Sequence, residues 1–117
     1  MAGSQNSASA LRRAFEQGEL ILVPALVLYE WLRGPRSRDE IAAMEALFPV
    51  KTIVVFGHEE AIISARLYRS VSRPRGREMD LAIAACAIAR DAELWTLNPA
   101  DFKDIPGLRQ HPAARKH

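Results

Sequence analysis

Glu78-Met79-Asp80-Leu81-Ala82-Ile83-Ala84-Ala85-Cys86-Ala87-Ile88-Ala89-Arg90, followed by Leu94-Trp95-Thr96-Leu97-Asn98-Pro99-Ala100-Asp101-Phe102, is the stretch that decides the fold. Its first half is apolar on nearly every helical face, and helices of that kind are core helices. Asp80 stands in the first turn, where core meets solvent and where the helix dipole favours negative charge. A short strand then runs up to Asn98, and Asp101 follows three residues later. Carboxylates gathered at the ends of buried elements suit a hard divalent cation, which prefers oxygen ligands. A metal site is therefore the leading expectation.

Working outward, strands and helices alternate. Residues 1–9 are small and polar, and Ser7 or Ser9 is placed to cap a helix over 8–17 that Gly18 stops. Leu20-Ile21-Leu22-Val23 is a continuous apolar run of the kind that forms a buried parallel strand. Pro24 suits the start of a helix over 25–33, which Gly34-Pro35 ends. Ser37 and Glu40 form a capping box for a helix reaching about Phe48. The β-branched run 51–56 reads as a strand, 58–71 as an amphipathic helix, 79–91 as the apolar helix and 93–97 as a strand. Pro106-Gly107 marks a turn. This order predicts an α/β domain with a parallel sheet covered on both faces, with 1–7 and 109–117 flexible.

The 117 residues make one domain, large enough for a real core and too small for two. With 49% hydrophobic and 26% charged residues the composition is globular, not disordered. The lone Cys86 has no partner for an internal disulfide and reads as a small core hydrophobe. Without a long apolar stretch or a leader pattern, a cytoplasmic protein with no membrane partner is expected. His58, His111 and His117 lack metal-ligand spacing, and no glycine-rich phosphate loop, zinc pair or nucleophile elbow occurs. Trp31, Phe48, Tyr68 and Trp95 are expected in the core.

Glu30 is the only charged side chain between Leu20 and Leu32. A carboxylate in apolar surroundings is costly unless paired, and its simplest explanation is an exposed pair with Arg33 at i+3. Asp80 has an equally plain explanation as a helix N-terminal acid, and Asn98 and Asp101 as turn residues. In a parallel α/β sheet, however, functional groups collect beyond the carboxyl ends of the strands. Glu30, Asp80, Asn98 and Asp101 all belong there. They are the candidate catalytic residues, with Glu30, Asp80 and Asp101 as ligands for Mg²⁺ or Mn²⁺.

A second signal is basic. Arg66, Arg69, Arg73, Arg75 and Arg77 fall within twelve residues that contain no acid. The first three share a face if the helix persists to Arg73, and the group suits the phosphate backbone of a nucleic acid. No aromatics are interleaved among them for base stacking.

These residues resemble the PIN-domain nucleases, especially the VapC-type toxins of bacterial toxin–antitoxin pairs. The matching segments are Leu22-Val23-Pro24-Ala25-Leu26-Val27-Leu28-Tyr29-Glu30-Trp31-Leu32-Arg33-Gly34, Asp80-Leu81-Ala82-Ile83-Ala84-Ala85, and 94–102 with Ile105-Pro106-Gly107-Leu108. The resemblance implies a three-layer α/β/α fold with a short parallel sheet. It also implies Mg²⁺- or Mn²⁺-dependent cleavage of RNA, a homodimer, and a cognate antitoxin as partner. By position Glu30 takes the family's second acid and Asp80 its third. Asn98 stands at the fourth, with Asp101 as a substitute ligand.

The family opens with a hydrophobic strand that lies mid-sheet and ends in the first acid. Here no acid precedes Glu16. The central strand is thus expected to be missing, Met1 being an internal methionine of a longer protein. Neighbouring strands then lose backbone partners, and the metal binds less tightly. The expectation is a toxin ribonuclease that is truncated or impaired as it stands. The alternative is a non-catalytic PIN-like module that binds RNA or an antitoxin.

Overall fold

The structure, a computed structural model, describes residues 2–112, with side chains from Ser9 onward. In chain order the elements are α1 (Ala2–Glu16), β1 (Val23–Pro24), α2 (Ala25–Leu32), α3 (Arg38–Leu47), β2 (Ile53–Val54), α4 (His58–Ser70), α5 (Glu78–Ala89), β3 (Glu93–Leu94) and β4 (Arg109–Gln110). Two 3₁₀ turns, Val50–Thr52 and Pro99–Phe102, complete the set.

The apolar sequence of α5 puts it at the centre. Leu81, Ile83, Ala84, Ala85 and Cys86 are buried, and α4 packs along the helix. Leu81 is only 1% exposed and joins Ile63, Leu67 and Val71 in one cluster with Leu94, Phe102 and Ile105. One buried charge is built into this packing. Glu60, 5% exposed in the first turn of α4, accepts hydrogen bonds from the Gly57 backbone N–H at 3.0 Å and from Arg90 Nη1 at 2.6 Å. The Arg90 hydrogen bond, with further backbone donors, holds the Glu60 carboxyl below its ordinary range, against the desolvation that would raise it.

Local signals behave as the sequence indicates at several ends. Ser37 and Glu40 form both halves of the capping box on α3. Gly18, at φ 77°, closes α1 with the Glu19 N–H on the Ala14 carbonyl at 3.0 Å and the Gly18 N–H on the Phe15 carbonyl at 3.1 Å, a Schellman pair. The same pair ends α5, with Ala92 bonded to Ala87 and Asp91 to Ile88, but the left-handed residue is Asp91 at φ 53°. Arg109 Nη2 donates to both the Asp91 carbonyl and its carboxylate, at 2.7 and 2.8 Å.

The sheet departs from expectation. Two separate two-stranded parallel sheets form, β1 with β2 and β3 with β4. Each strand expected from sequence shrinks to two residues, leaving Leu20 78%, Val55 65% and Leu97 56% exposed. The physical reason is that a parallel strand is buried and fully bonded only with neighbours on both edges, whereas β1 and β3 each have one. The tail also differs: residues 109–110 are a strand, not a frayed end, while 113–117 lie outside the described residues. The helix expected from residue 8 begins at Ala2. Tyr68, expected inside, is on the surface.

Replacing Leu81 with Ala should cost about 3 kcal/mol, the usual cavity cost for a buried leucine, and lower the Tm by roughly 12 °C in a domain of this size. Thermal unfolding of the variant checks this; a loss below about 1 kcal/mol would mean that α5 is not the packing centre. Glu60→Gln should destabilise by about 2 kcal/mol at neutral pH, since it strips the counter-charge from a partly buried Arg90. Because the folded-state pKa of Glu60 is lowered, its stabilisation is present above the ordinary carboxylate range and fades as pH falls through the folded value. Wild type and Glu60→Gln should therefore converge in acid.

Candidate active site

A cleft of about 910 Å³ is lined by residues of β1, β2 and β3 and by apolar side chains including Leu11, Val27, Ile83 and Phe102. Glu30, Asp80, Asn98 and Asp101 all line it. Three segments distant in sequence thus deliver oxygen donors to one place. α2 follows β1 directly and carries Glu30 in its last half, α5 offers Asp80 from its first turn, and the turn after β3 presents Asn98 and Asp101.

Glu30 is partly buried and makes no ion pair with Arg33, whose guanidinium lies 5.6 Å from the centre of the Tyr29 ring instead. The exposed-pair explanation of Glu30 therefore falls. Asn98 does not spend its side chain on capping the 3₁₀ turn. Its backbone does the local work, with its N–H on Thr96 Oγ1 at 3.1 Å and its carbonyl accepting from Asp101 at 3.0 Å. Buried Phe102 and the Gln110 side chain, bonded to the Pro99 carbonyl at 2.9 Å, pin this turn to the body.

Burial pushes the Asp80 carboxyl above its ordinary value, and the charges of Asp101 and Glu30 push it further, against a pull downward from Arg77. Among the described residues, no three His, Cys, Asp or Glu side chains stand close enough as placed to enclose one ion. The donor set fits Mg²⁺ or Mn²⁺ in type and sign, as three carboxylates and an amide, but it is open, not drawn into a cage.

The arginines divide. Arg77 sits immediately before α5, and its guanidinium grips the Asp104 carboxylate through two bonds of 2.9 and 2.7 Å and the Asp101 carbonyl at 3.1 Å. It is engaged as a clamp between the start of α5 and the turn bearing Asp101, so its expected phosphate contact must compete with that grip. The shared helical face proposed for Arg66, Arg69 and Arg73 does not form, because α4 ends at Ser70 and the chain turns extended at Val71. Arg66, Arg69, Arg73 and Arg75 are exposed and lie outside the cleft lining.

Three further groups at the cleft were not legible in the sequence. Arg90 reaches it from the end of α5, and Trp95 stacks on His111 with ring centres 4.5 Å apart. His111 Nε2 lies 3.9 Å from a Glu19 carboxylate oxygen. Only the pairing of β3 with β4 brings His111 to Trp95, and nothing local announces that pairing.

Since Asp80 titrates higher folded than unfolded, its contribution to stability is fully present below the ordinary aspartate range and is lost as pH rises through the folded value. Asp80→Asn should accordingly raise the Tm at neutral pH by a few degrees, and the difference should vanish in acid. A clear drop in Tm at neutral pH would show Asp80 to be a structural cap instead of a strained site residue.

Comparison with known proteins places this geometry. The PIN domain family model matches residues 1–108. Ribonuclease VapC19 of Mycobacterium tuberculosis is 37% identical over 109 residues, covering 92% of this chain and 86% of that protein. Ribonuclease VapC of Rickettsia bellii is 32% identical over 105 residues, covering 82% and 78%. A crystal structure of VapBC2 from Rickettsia felis bound to a DNA fragment from their promoter superposes with a TM-score of 0.65 at 21% identity, over 90% of this chain and 84% of that one. The family match and the sequence relatives agree, and this chain belongs to the PIN-domain family as a homologue of the VapC ribonuclease toxins.

Proposed function

We propose that the protein is a metal-dependent endoribonuclease, the toxin of a toxin–antitoxin pair. Glu30, Asp80 and Asp101 hold Mg²⁺ or Mn²⁺, and Asn98 orients a ligand or water. The observation that carries this reading is one cleft lined by Glu30, Asp80, Asn98 and Asp101, where burial and the charges of Asp101 and Glu30 push the Asp80 carboxyl up. A bound divalent ion supplies an activated water and charge opposite the phosphate. The chain's own residues do the rest. Asp80 must give up its proton before it can serve as a ligand, so cation affinity rises with pH through its elevated pKa. Arg77 keeps the Asp101 turn against the start of α5. Arg66, Arg69, Arg73 and Arg75 hold the RNA backbone from outside the cleft.

The named relatives supply the class of substrate, since VapC19 and the Rickettsia bellii protein carry the name ribonuclease. The VapBC2 complex supplies the class of partner, a cognate antitoxin. A homodimer in the cytoplasm belongs to the same reading, and no helix of the described residues is long and apolar enough to cross a membrane. A second reading, a non-catalytic module that binds RNA or antitoxin, is favoured by the amide at Asn98 and by the open spacing of the acids.

Manganese titration followed by RNA cleavage separates the two. The nuclease reading expects saturable Mn²⁺ binding that strengthens with pH, and a loss of cleavage of about a hundredfold or more in both Glu30→Gln and Asp80→Asn. Unchanged cleavage in both variants would reject the assigned roles, and absent Mn²⁺ binding with intact RNA binding would leave the module. Binding of RNA should weaken steeply with salt, and each arginine removed from the exposed cluster should flatten that slope.

A further inference from the structure

We propose that Asp104 is a positioning residue that holds Arg77 aside from the acids of the cleft and so keeps those acids available to a divalent cation. The inference deepens the metal-dependent reading and rests on it for its purpose, though not for its geometry. Arg77 has three carboxylates within reach. It is the N-cap of α5 and Asp80 is the third residue of that helix, the spacing at which N-cap and N3 side chains meet in a capping box. Its guanidinium already touches the Asp101 carbonyl at 3.1 Å, and the charges of Asp104, Asp80 and Asp101 all act on it. Of these carboxylates it bonds only that of Asp104, at 2.9 and 2.7 Å. Asp80 and Asp101 line the cleft, whereas Asp104 and Arg77 stand outside the lining.

The physical need for such a partner is plain. A guanidinium does not lose its proton in a protein, so only a competing carboxylate can draw it away from an acid. Set between Asp80 and Asp101, it would take the place of a divalent ion and cancel the charge that attracts one. Asp104 is well placed to compete. Buried Phe102 and Ile105 anchor the chain on either side of it, with the Ile105 N–H on the Phe102 carbonyl at 3.3 Å. Both of its oxygens then meet the guanidinium fork, the strong form of this pairing. With side chains 22% and 43% exposed, the pair adds little to stability. What it decides is where a positive charge rests. The far end of α5 has the same arrangement: Arg90 lines the cleft, and Glu60, outside the lining, holds it at 2.6 Å.

Asp104→Asn tests this, since the amide keeps the size and removes the charge. A metal-free crystal structure of the variant should show the Arg77 guanidinium moved to within about 4 Å of the Asp80 or Asp101 carboxylate. Mn²⁺ should bind the variant about tenfold more weakly than wild type. In an Arg77→Gln background, where no cation is left to withhold, the same change should alter Mn²⁺ affinity less than about twofold. A purely structural role would instead weaken Mn²⁺ binding equally in both backgrounds and leave the guanidinium in place. A guanidinium that stays at position 104 or swings into solvent, equal losses in the two backgrounds, or undiminished affinity beside a wild type that binds Mn²⁺ would overturn the proposal. Should wild type bind no Mn²⁺ at all, the nuclease reading fails, and the metal-free position of Arg77 still decides this one.

Discussion

A helix that is apolar on every face must be surrounded, and α5 imposes that requirement on the whole molecule. Ala84 and Ala85 are fully buried, which is possible only where α4 and the elements leading to β3 approach closely. Burial of apolar area is the main favourable term in folding, and this helix concentrates it. Everything polar is then pushed to the helix ends. At the start stand Arg77 and Asp80, at the finish Arg90 with its partner Glu60.

The two ends do different work. At the finish, Glu60 and Arg90 form a satisfied ion pair, with the carboxylate bonded to a backbone donor as well. Such a pair joins α4 to α5 and calls for nothing further. At the start, Asp80 has a raised pKa, with two acids near it and its one basic neighbour, Arg77, committed to Asp104 and the Asp101 carbonyl. A carboxyl pushed up by burial and by neighbouring acids in a cleft is a candidate functional group. The contrast within one helix is what singles out the Asp80 end.

The half-sheets bear on the same site. Glu30 and Asp101 are carried by segments that follow β1 and β3, and those strands share no hydrogen bond. The acids are therefore carried on separately paired strands, coupled electrostatically at Asp80 and not closed around a single point among the described residues.

Sequence alone determined the core helix, the capping box of α3 and the stop of α1, because each is written locally, whereas α1 starts at Ala2 and takes in the expected caps Ser7 and Ser9. The all-apolar run of α5, the Ser37 and Glu40 pair, and Gly18 are read within a few residues of where they act. Glu30 and Asp80 stood out as charges in apolar stretches, and burial penalises charge wherever it occurs. Strand extent, by contrast, was overestimated at Leu20, Val55 and Leu97, since a strand exists only by pairing with chain elsewhere. The clamp of Arg77 on Asp104, the strand at 109–110 and the stacking of His111 on Trp95 were likewise decided by tertiary structure. An arginine run looks the same on paper whether its members face solvent or lock a turn. Only the fold shows which carboxylate each one meets.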